Sequence, residues 1–340
     1  INNERAPMKR VCIKHASNPI IKPSDMPEEI MYVLNPGAIK VNGEYIVMLD
    51  AATLATPIIF WLARSRDGVN FKIDPEPVEW PRWSDEVVEN CVYDPRITKF
   101  GDDYIIMYAS QAEGRGVRTG VVKTRDFETF ERIPQAETDL DNRNSALFPE
   151  KINGRYARFD RPMYRNAHDP SDMCISYSDD LKNWGDSKTL ITPRAGSWDS
   201  HKVGAGAVPI KTAYGWLEVY HAVDNTCNGF IYRLGVMLLD LNDPSKVIAR
   251  SQSPILWPEY DYELNGRVPN VVFTANALLE DDGTVKMYYG AADTYIALAE
   301  AKLDDLIEAC FARNKYYDKF FGLDKKVSGV YSEKKVLQTV

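Results

Sequence analysis

The chain has 340 residues, 44% of them hydrophobic and 26% charged, with a formal net charge of −8. That length suffices for one large β domain or two smaller ones. The acidic balance argues against a nucleic-acid or anionic-membrane surface as the main partner, although it leaves room for a local basic pocket.

No apolar run approaches the ~18 residues of a membrane span. The polar start, residues 1–10, lacks a signal-peptide apolar stretch, and whether an upstream segment was removed stays open. The five cysteines, Cys12, Cys91, Cys174, Cys227 and Cys310, form no CxxC pair. Neither a disulfide framework nor a zinc site is suggested, and a reducing, cytoplasmic location is expected.

Taken in chain order, the predicted elements repeat. Five times a polar turn leads into a short strand: NGEYIVML (42–49), GDDYIIMYA (101–109), NGRYARFD (153–160), YGWLEVYHA (214–222) and DGTVKMYYGA (282–291). A spacing of roughly 50–70 residues fits a four-stranded propeller blade with generous loops. A second signature interleaves with the first: SRDGVNF (65–71), TRDFETF (124–130) and SDDLKNW (178–184), with a degenerate copy in DLNDPSKV (240–247). Ser or Thr, then Asp two residues on and an aromatic four further, reads as a tight Asp-led turn returning an aromatic to the core between blades.

Helical periodicity is almost absent until Leu303, Leu306, Ile307, Cys310 and Phe311 fall at helical spacing. The expectation is an all-β, five-bladed β-propeller forming one domain over residues 1–340. A C-terminal helix over about 303–321 packs outside it or against another subunit of a homo-oligomer.

A propeller gathers polar residues from distant segments at its central funnel. Candidates stand beside apolar strands at Asn35, Tyr93 to Arg96, Asp141 to Asn144, Phe159 to Pro162, His201 to Gly206 and Gly290 to Thr294. Asp94 before Pro95 also fits a simple turn initiator. Arg143 and Arg161, each within a few residues of an apolar segment, read as partly buried groups with a definite partner. His168, His201 and His221 have no HxH, HExxH or nearby Cys partner, so no metal site is expected.

At YDPRIT (93–98) and NRNSALFPEKINGRYARFDRP (142–162) the sequence resembles glycoside hydrolase family 130, the β-mannoside phosphorylases. NPGAI (35–39), ARSRDGVNF (63–71), KVGAG (202–206), CNGFIYRLG (227–235), LDLNDPSKV (239–247), VPNVVF (268–273) and YYGAADT (288–294) extend the resemblance over nearly the whole chain. It implies a five-bladed propeller and an inverting phosphorylase, with Asp94 as the catalytic general acid. The acid is thought to deliver its proton through the mannose 3-hydroxyl while phosphate attacks from the opposite face, giving α-mannose 1-phosphate.

The resemblance further implies phosphate ligands at Arg143, Arg161, His168, Lys202 and Tyr232. It places Asn35, Arg64, Tyr93, Asn144 and Asp293 around the mannose. His201 and His221 are left undecided between lining the pocket and bonding a neighbouring blade. Inorganic phosphate is the expected cosubstrate, with no metal or organic cofactor. The expected partner is a small carbohydrate, mannosyl-glucose first and mannobiose or mannosyl-N-acetylglucosamine after it.

A phosphorylase needs one acid and a cationic cradle, because phosphate is already a nucleophile, whereas an inverting hydrolase needs a second carboxylate as base. The alternatives are a β-mannosidase on the same scaffold and a non-catalytic sugar-binding propeller. NRN at 142–144 resembles the branch acting on mannosyl-glucose, whereas FTANAL after VPNVV does not. The stretches up to Val33 and over residues 50–60 match nothing familiar, so the acceptor side is the least defined.

Overall fold

The structure, a computed structural model, describes residues 10–27, 29–55, 57–84, 86–163, 169–314 and 318–319. Among these, the strands form five antiparallel sheets. Blade 1 is Tyr32–Val41, Glu44–Ala52, Ile59–Ser65 and Lys72–Ile73. Blade 2 is Glu89–Phe100, Asp103–Ala112, Gly116–Thr124 and Glu131–Arg132. Blade 3 is Asp141–Leu147, Tyr156–Met163, Met173–Ser178 and Gly185–Ile191. Blade 4 is Lys202–Ala205, Gly215–Thr226, Gly229–Leu239 and Val247–Arg250, with Ile210–Thr212 added beside its second strand.

Blade 5 is composite. Val272–Thr274, Thr284–Ala291 and Tyr295–Lys302 come from the C-terminal part, and Ile13–Lys14 supplies the outermost strand. The N-terminal segment thus covers an edge that would otherwise stand open. Lys14 secures it through a salt bridge of 2.7 Å to the fully buried Glu263, on the one-turn helix α1 (Asp261–Leu264). Neither this strand nor α1 was legible in the periodicity.

Five apolar clusters fill the five gaps between neighbouring blades. Alternate residues of the second strand of blade 1 divide between two of them. Tyr45, Val47 and Leu49 pack with Ile296 and Leu298 of blade 5, whereas Ile46 and Met48 pack with Val92, Ile97 and Ile106 of blade 2. A blade is buried on both faces, so its strands read as nearly continuous apolar runs with only a weak period of two. The remaining clusters join blades 2 and 3, 3 and 4, and 4 and 5, which closes the ring of five that the repeats predicted.

The two repeated signatures fall at constant places. All five turn-strand segments form the second strand of a blade, and the Asp-led motifs turn the chain from third strand to fourth. Asp67, Asp126, Asp180 and Asp240 each accept two successive backbone N–H groups at 2.8–2.9 Å. These bonds favour the carboxylate, and Asp126 is lowered to about 2. Phe71, Phe130 and Trp184, and Val247 of the degenerate copy, return to the clusters between blades.

The expected C-terminal helix is shorter than its periodicity suggested. Helix α2 runs over Leu303–Phe311 and stops at Ala312, whose backbone is no longer helical (ψ 129°), whereas residues 315–317 and 320–321 of the expected span lie outside the described residues. Its face of Leu306, Ile307, Ala309 and Cys310 is buried against blades 4 and 5 of its own chain. Phe311 alone of its large apolar side chains stays exposed. Among the described residues no helix is long and apolar enough to cross a membrane.

Candidate active site

Three innermost strands break register at equivalent points. The ladder to the second strand shifts between Leu34 and Gly37 in blade 1, Tyr93 and Arg96 in blade 2, and Arg143 and Ala146 in blade 3. Each shift holds one residue in left-handed backbone: Asn35 (φ 42°), Asp94 (φ 57°) and Asn144 (φ 53°). Asn and Asp tolerate this region better than other residues bearing a Cβ, and a bulge re-aims its side chain out of the ladder. NPG, DPR and NSA are therefore one local device used three times.

The three side chains meet. Asn35 Nδ2 donates to Asp94 Oδ1 at 2.8 Å, and Asn144 Nδ2 donates to Asp94 Oδ2 at 3.1 Å. The backbone of Asp94 is held as well: its N–H donates to Asp50 Oδ2 at 2.9 Å, and its carbonyl accepts from Arg96 Nη1 at 2.9 Å. Arg96, almost fully buried, also donates to the carbonyls of Ala205 and Gly206 in blade 4. Gly290 makes room for this clamp, since a Cβ there would stand 2.7 Å from both the backbone N and Oδ1 of Asn35. Asp94 is 5% exposed, buried yet at the meeting point of three blades.

A cationic group adjoins it. Arg143 and Arg161 face each other as a registered pair across the first ladder of blade 3, and the Nε of each is buried with no hydrogen-bond partner among the described residues. Lys202, on the innermost strand of blade 4, is lowered to about 8 by burial and by the neighbouring Arg161 and Arg143. Arg161 is lowered to about 10, first by burial and then by Arg143. Such mutual depression marks like charges held close together away from water. Tyr93 and Tyr232 are raised chiefly by burial, and both feel Arg143, Arg161 and Asp94.

His221 resolves its ambiguity here. Its Nδ1 lies 3.2 Å from the Ala205 carbonyl and its Nε2 lies 3.4 Å from Arg161 Nη1. Burial and the flanking cations hold the ring well below its ordinary titration range, so it is neutral. Gly204 permits this packing: a Cβ would come within 2.7 Å of His221 Cε1 and 2.9 Å of Arg161 Cδ. His201 instead stacks on Phe230 at 5.1 Å, and Lys202 Nζ lies 5.0 Å from the same ring.

On the other side stands Asp293, also left-handed (φ 49°), in the turn between the last two strands of blade 5. Burial and the charge of Asp94 raise its carboxyl to about 7, opposed by Arg267.

The structure thus brings Asn35, Tyr93, Asp94, Arg143, Asn144, Arg161, Lys202, Tyr232 and Asp293 into one neighbourhood. It does not bring Arg64, expected beside the mannose. Arg64 lies on the third strand of blade 1, tied to Asp74 and, at 3.4 Å, to Glu128 of the next blade's Asp-led turn. Its segment, ARSRDGVNF (63–71), leads from the third strand of the blade into that blade's own Asp-led turn. His168 lies outside the described residues. Asp50 was missed, its only signal being a carboxyl on an otherwise apolar strand, and Arg96, named among the funnel candidates, had been given no role.

A five-bladed propeller with one clamped carboxyl beside a cluster of cations, where its blades meet, is the architecture of a glycoside-processing enzyme. The sequence matches the family described as beta-1,4-mannooligosaccharide phosphorylase over residues 6–311. It is 44% identical over 245 residues to a beta-1,2-mannobiose phosphorylase of Thermoanaerobacter sp. (strain X514), spanning 70% of this chain and 74% of that one. A 1,2-beta-oligomannan phosphorylase of the same organism is 36% identical over 301 residues, 86% of this chain and 97% of its own. The solved beta-1,2-mannobiose phosphorylase of Listeria innocua, in complex with beta-1,2-mannobiose, superposes with a TM-score of 0.78 at 31% identity, covering 89% of this chain and 99% of that one. The chain belongs to glycoside hydrolase family 130.

Proposed function

We propose that the protein cleaves a terminal β-mannosidic bond by inverting phosphorolysis, in a reversible reaction giving α-mannose 1-phosphate. The observation that carries this reading is the convergence of Arg143, Arg161 and Lys202 on the neighbourhood of Asp94. A phosphate oxygen attacks the anomeric carbon, the bond from that carbon to the glycosidic oxygen breaks, and the Asp94 proton ends on the departing oxygen. The relay of that proton through the mannose 3-hydroxyl follows from the family resemblance. The cations draw the phosphate dianion out of water and align it for attack.

A hydrolase on this scaffold would need a carboxylate base to activate water on the attacking side. The residues assigned to that side are cations. Incubation with a β-mannoside with and without phosphate tests the assignment: mannose 1-phosphate forming only with phosphate supports it, and free mannose formed at the same rate without phosphate refutes it.

For the substrate, β-1,2-mannobiose and short β-1,2-oligomannans rank above mannosyl-glucose, because the relatives at 44% and 36% identity carry β-1,2 names. Phosphate is the sole cosubstrate, without metal or organic cofactor. The five free thiols suit a reducing cytoplasm.

A further inference from the structure

Asp50 stands where an apolar residue belongs. It lies on the second strand of blade 1, opposite Leu34 on one side and Phe60 on the other. Strand alternation puts it on the same face as Ile46 and Met48, which pack on blade 2. Its exposure is 0%, and no salt bridge reaches it among the described residues. One oxygen accepts the Asp94 N–H at 2.9 Å, and the other, Oδ1, is buried with no hydrogen-bond partner among the described residues. A carboxyl so placed does nothing for the core that a leucine would not do better.

Among the described residues, the one hydrogen bond its side chain makes is with the residue that most needs it. Asp94 occupies a left-handed bulge, a conformation that persists only when its surroundings over-determine it. The bulge also takes Asp94 out of the strand ladder, so its N–H requires another acceptor. We propose that Asp50 is a positioning residue for phosphorolysis: through Asp94 N–H···Oδ2 it fixes the peptide plane that aims the Asp94 carboxyl at the scissile bond. The inference rests on the reading of Asp94 as the acid.

The state of Asp50 follows from the groups that face it. Asp94, Arg96 and Cys91 come from the innermost strand of blade 2, and Asp293 comes from the last turn of blade 5. Burial, Asp94 and Asp293 favour the protonated form more than the Asp94 N–H and Arg96 favour the ionised one. Asp50 therefore works as a neutral acceptor. An ionised Asp50 would press its charge on Asp94 and hold the proton there, hindering a group that must release it in one direction and recover it in the other.

Two substitutions separate acceptor from charge. Asp50→Asn keeps an acceptor oxygen and the neutral state, so kcat should stay within about threefold of wild type, with an unchanged pH profile. Asp50→Leu keeps the bulk and removes the acceptor. Its kcat should fall ~10–100-fold, as a small misplacement of a catalytic group allows, while both KM values stay within about twofold and the circular dichroism is retained.

Wild-type kcat in a folded Asp50→Leu would overturn the inference. So would an Asp50→Asn variant that loses as much activity as Asp50→Leu or whose pH limbs move, since charge and not the acceptor would then matter. If Asp50→Leu does not fold, a fall of about 10-fold or more in the kcat of Asp50→Asn, or a shift of its pH limbs, overturns the inference by itself. A wild-type protein that makes no mannose 1-phosphate from a β-mannoside would instead refute the assigned reaction, a different result from either variant.

Discussion

Arg161 and His221 form a pair in which the imidazole is the acceptor, its Nε2 lying 3.4 Å from the guanidinium Nη1. The ring is fixed on its far side by the Ala205 carbonyl, so the histidine orients the arginine and adds no charge to an already cationic pocket. His221→Phe should remove the bond that orients Arg161 and raise the KM for phosphate by about 10-fold, in line with the loss of one bond to a charged group. The KM for the mannoside should change by less than about twofold. Initial rates at varied phosphate and saturating sugar check it, and equal effects on both substrates would place His221 elsewhere in the mechanism.

Asp94→Asn should lower turnover by about 10²–10⁴-fold, the usual worth of general acid–base help. The fold and mannoside binding should survive, because an asparagine suits the left-handed bulge as well as aspartate does. Calorimetric titration with the disaccharide, beside an activity assay, separates the two effects.

The depressed Lys202 gives a pH dependence with a defined sign. Its ammonium, near 8 in the free site, is charged below that pH and neutral above it. kcat/KM for phosphate should therefore fall as pH rises through about 8, and the corresponding limb of kcat should lie higher, because bound phosphate favours the ammonium. Lys202→Arg should abolish the limb, since a guanidinium keeps its charge. A limb that persists in that variant belongs to another group.

Asp293 should produce the opposite slope on the sugar side. Raised to about 7, it is neutral below that pH and a carboxylate above it, and a carboxylate is the stronger acceptor for a hydroxyl. The KM for the mannoside should fall as pH rises through about 7. In Asp293→Asn it should be higher and flat across the same range, which a pH series at saturating phosphate would reveal.

The blades themselves were legible because their signals are local. An aspartate bonding the N–H groups two and three residues on, as Asp67 does to Val69 and Asn70, is complete within one short segment. So is a glycine-containing turn leading into an apolar strand. Repetition of both at a blade's spacing sufficed for the architecture, and the family resemblance carried Asp94, Arg143, Arg161 and Lys202 to one site.

Tertiary structure alone decided how those residues are held. Asn35 and Asn144, expected beside the sugar, turn out to grip the Asp94 carboxyl from two other blades, at sequence separations of 59 and 50. Asp50 lies 44 residues from the N–H it accepts, and Arg96 lies 110 from the Gly206 carbonyl it holds. No periodicity announces such a pair, because each partner's own segment is an ordinary strand. Arg64 is the reverse case: its motif is local and recognisable, yet only the fold shows that it lies on a third strand, bonded to Asp74. What a side chain faces in a propeller is set by the neighbouring blade, and neighbouring blades meet only after the ring has closed.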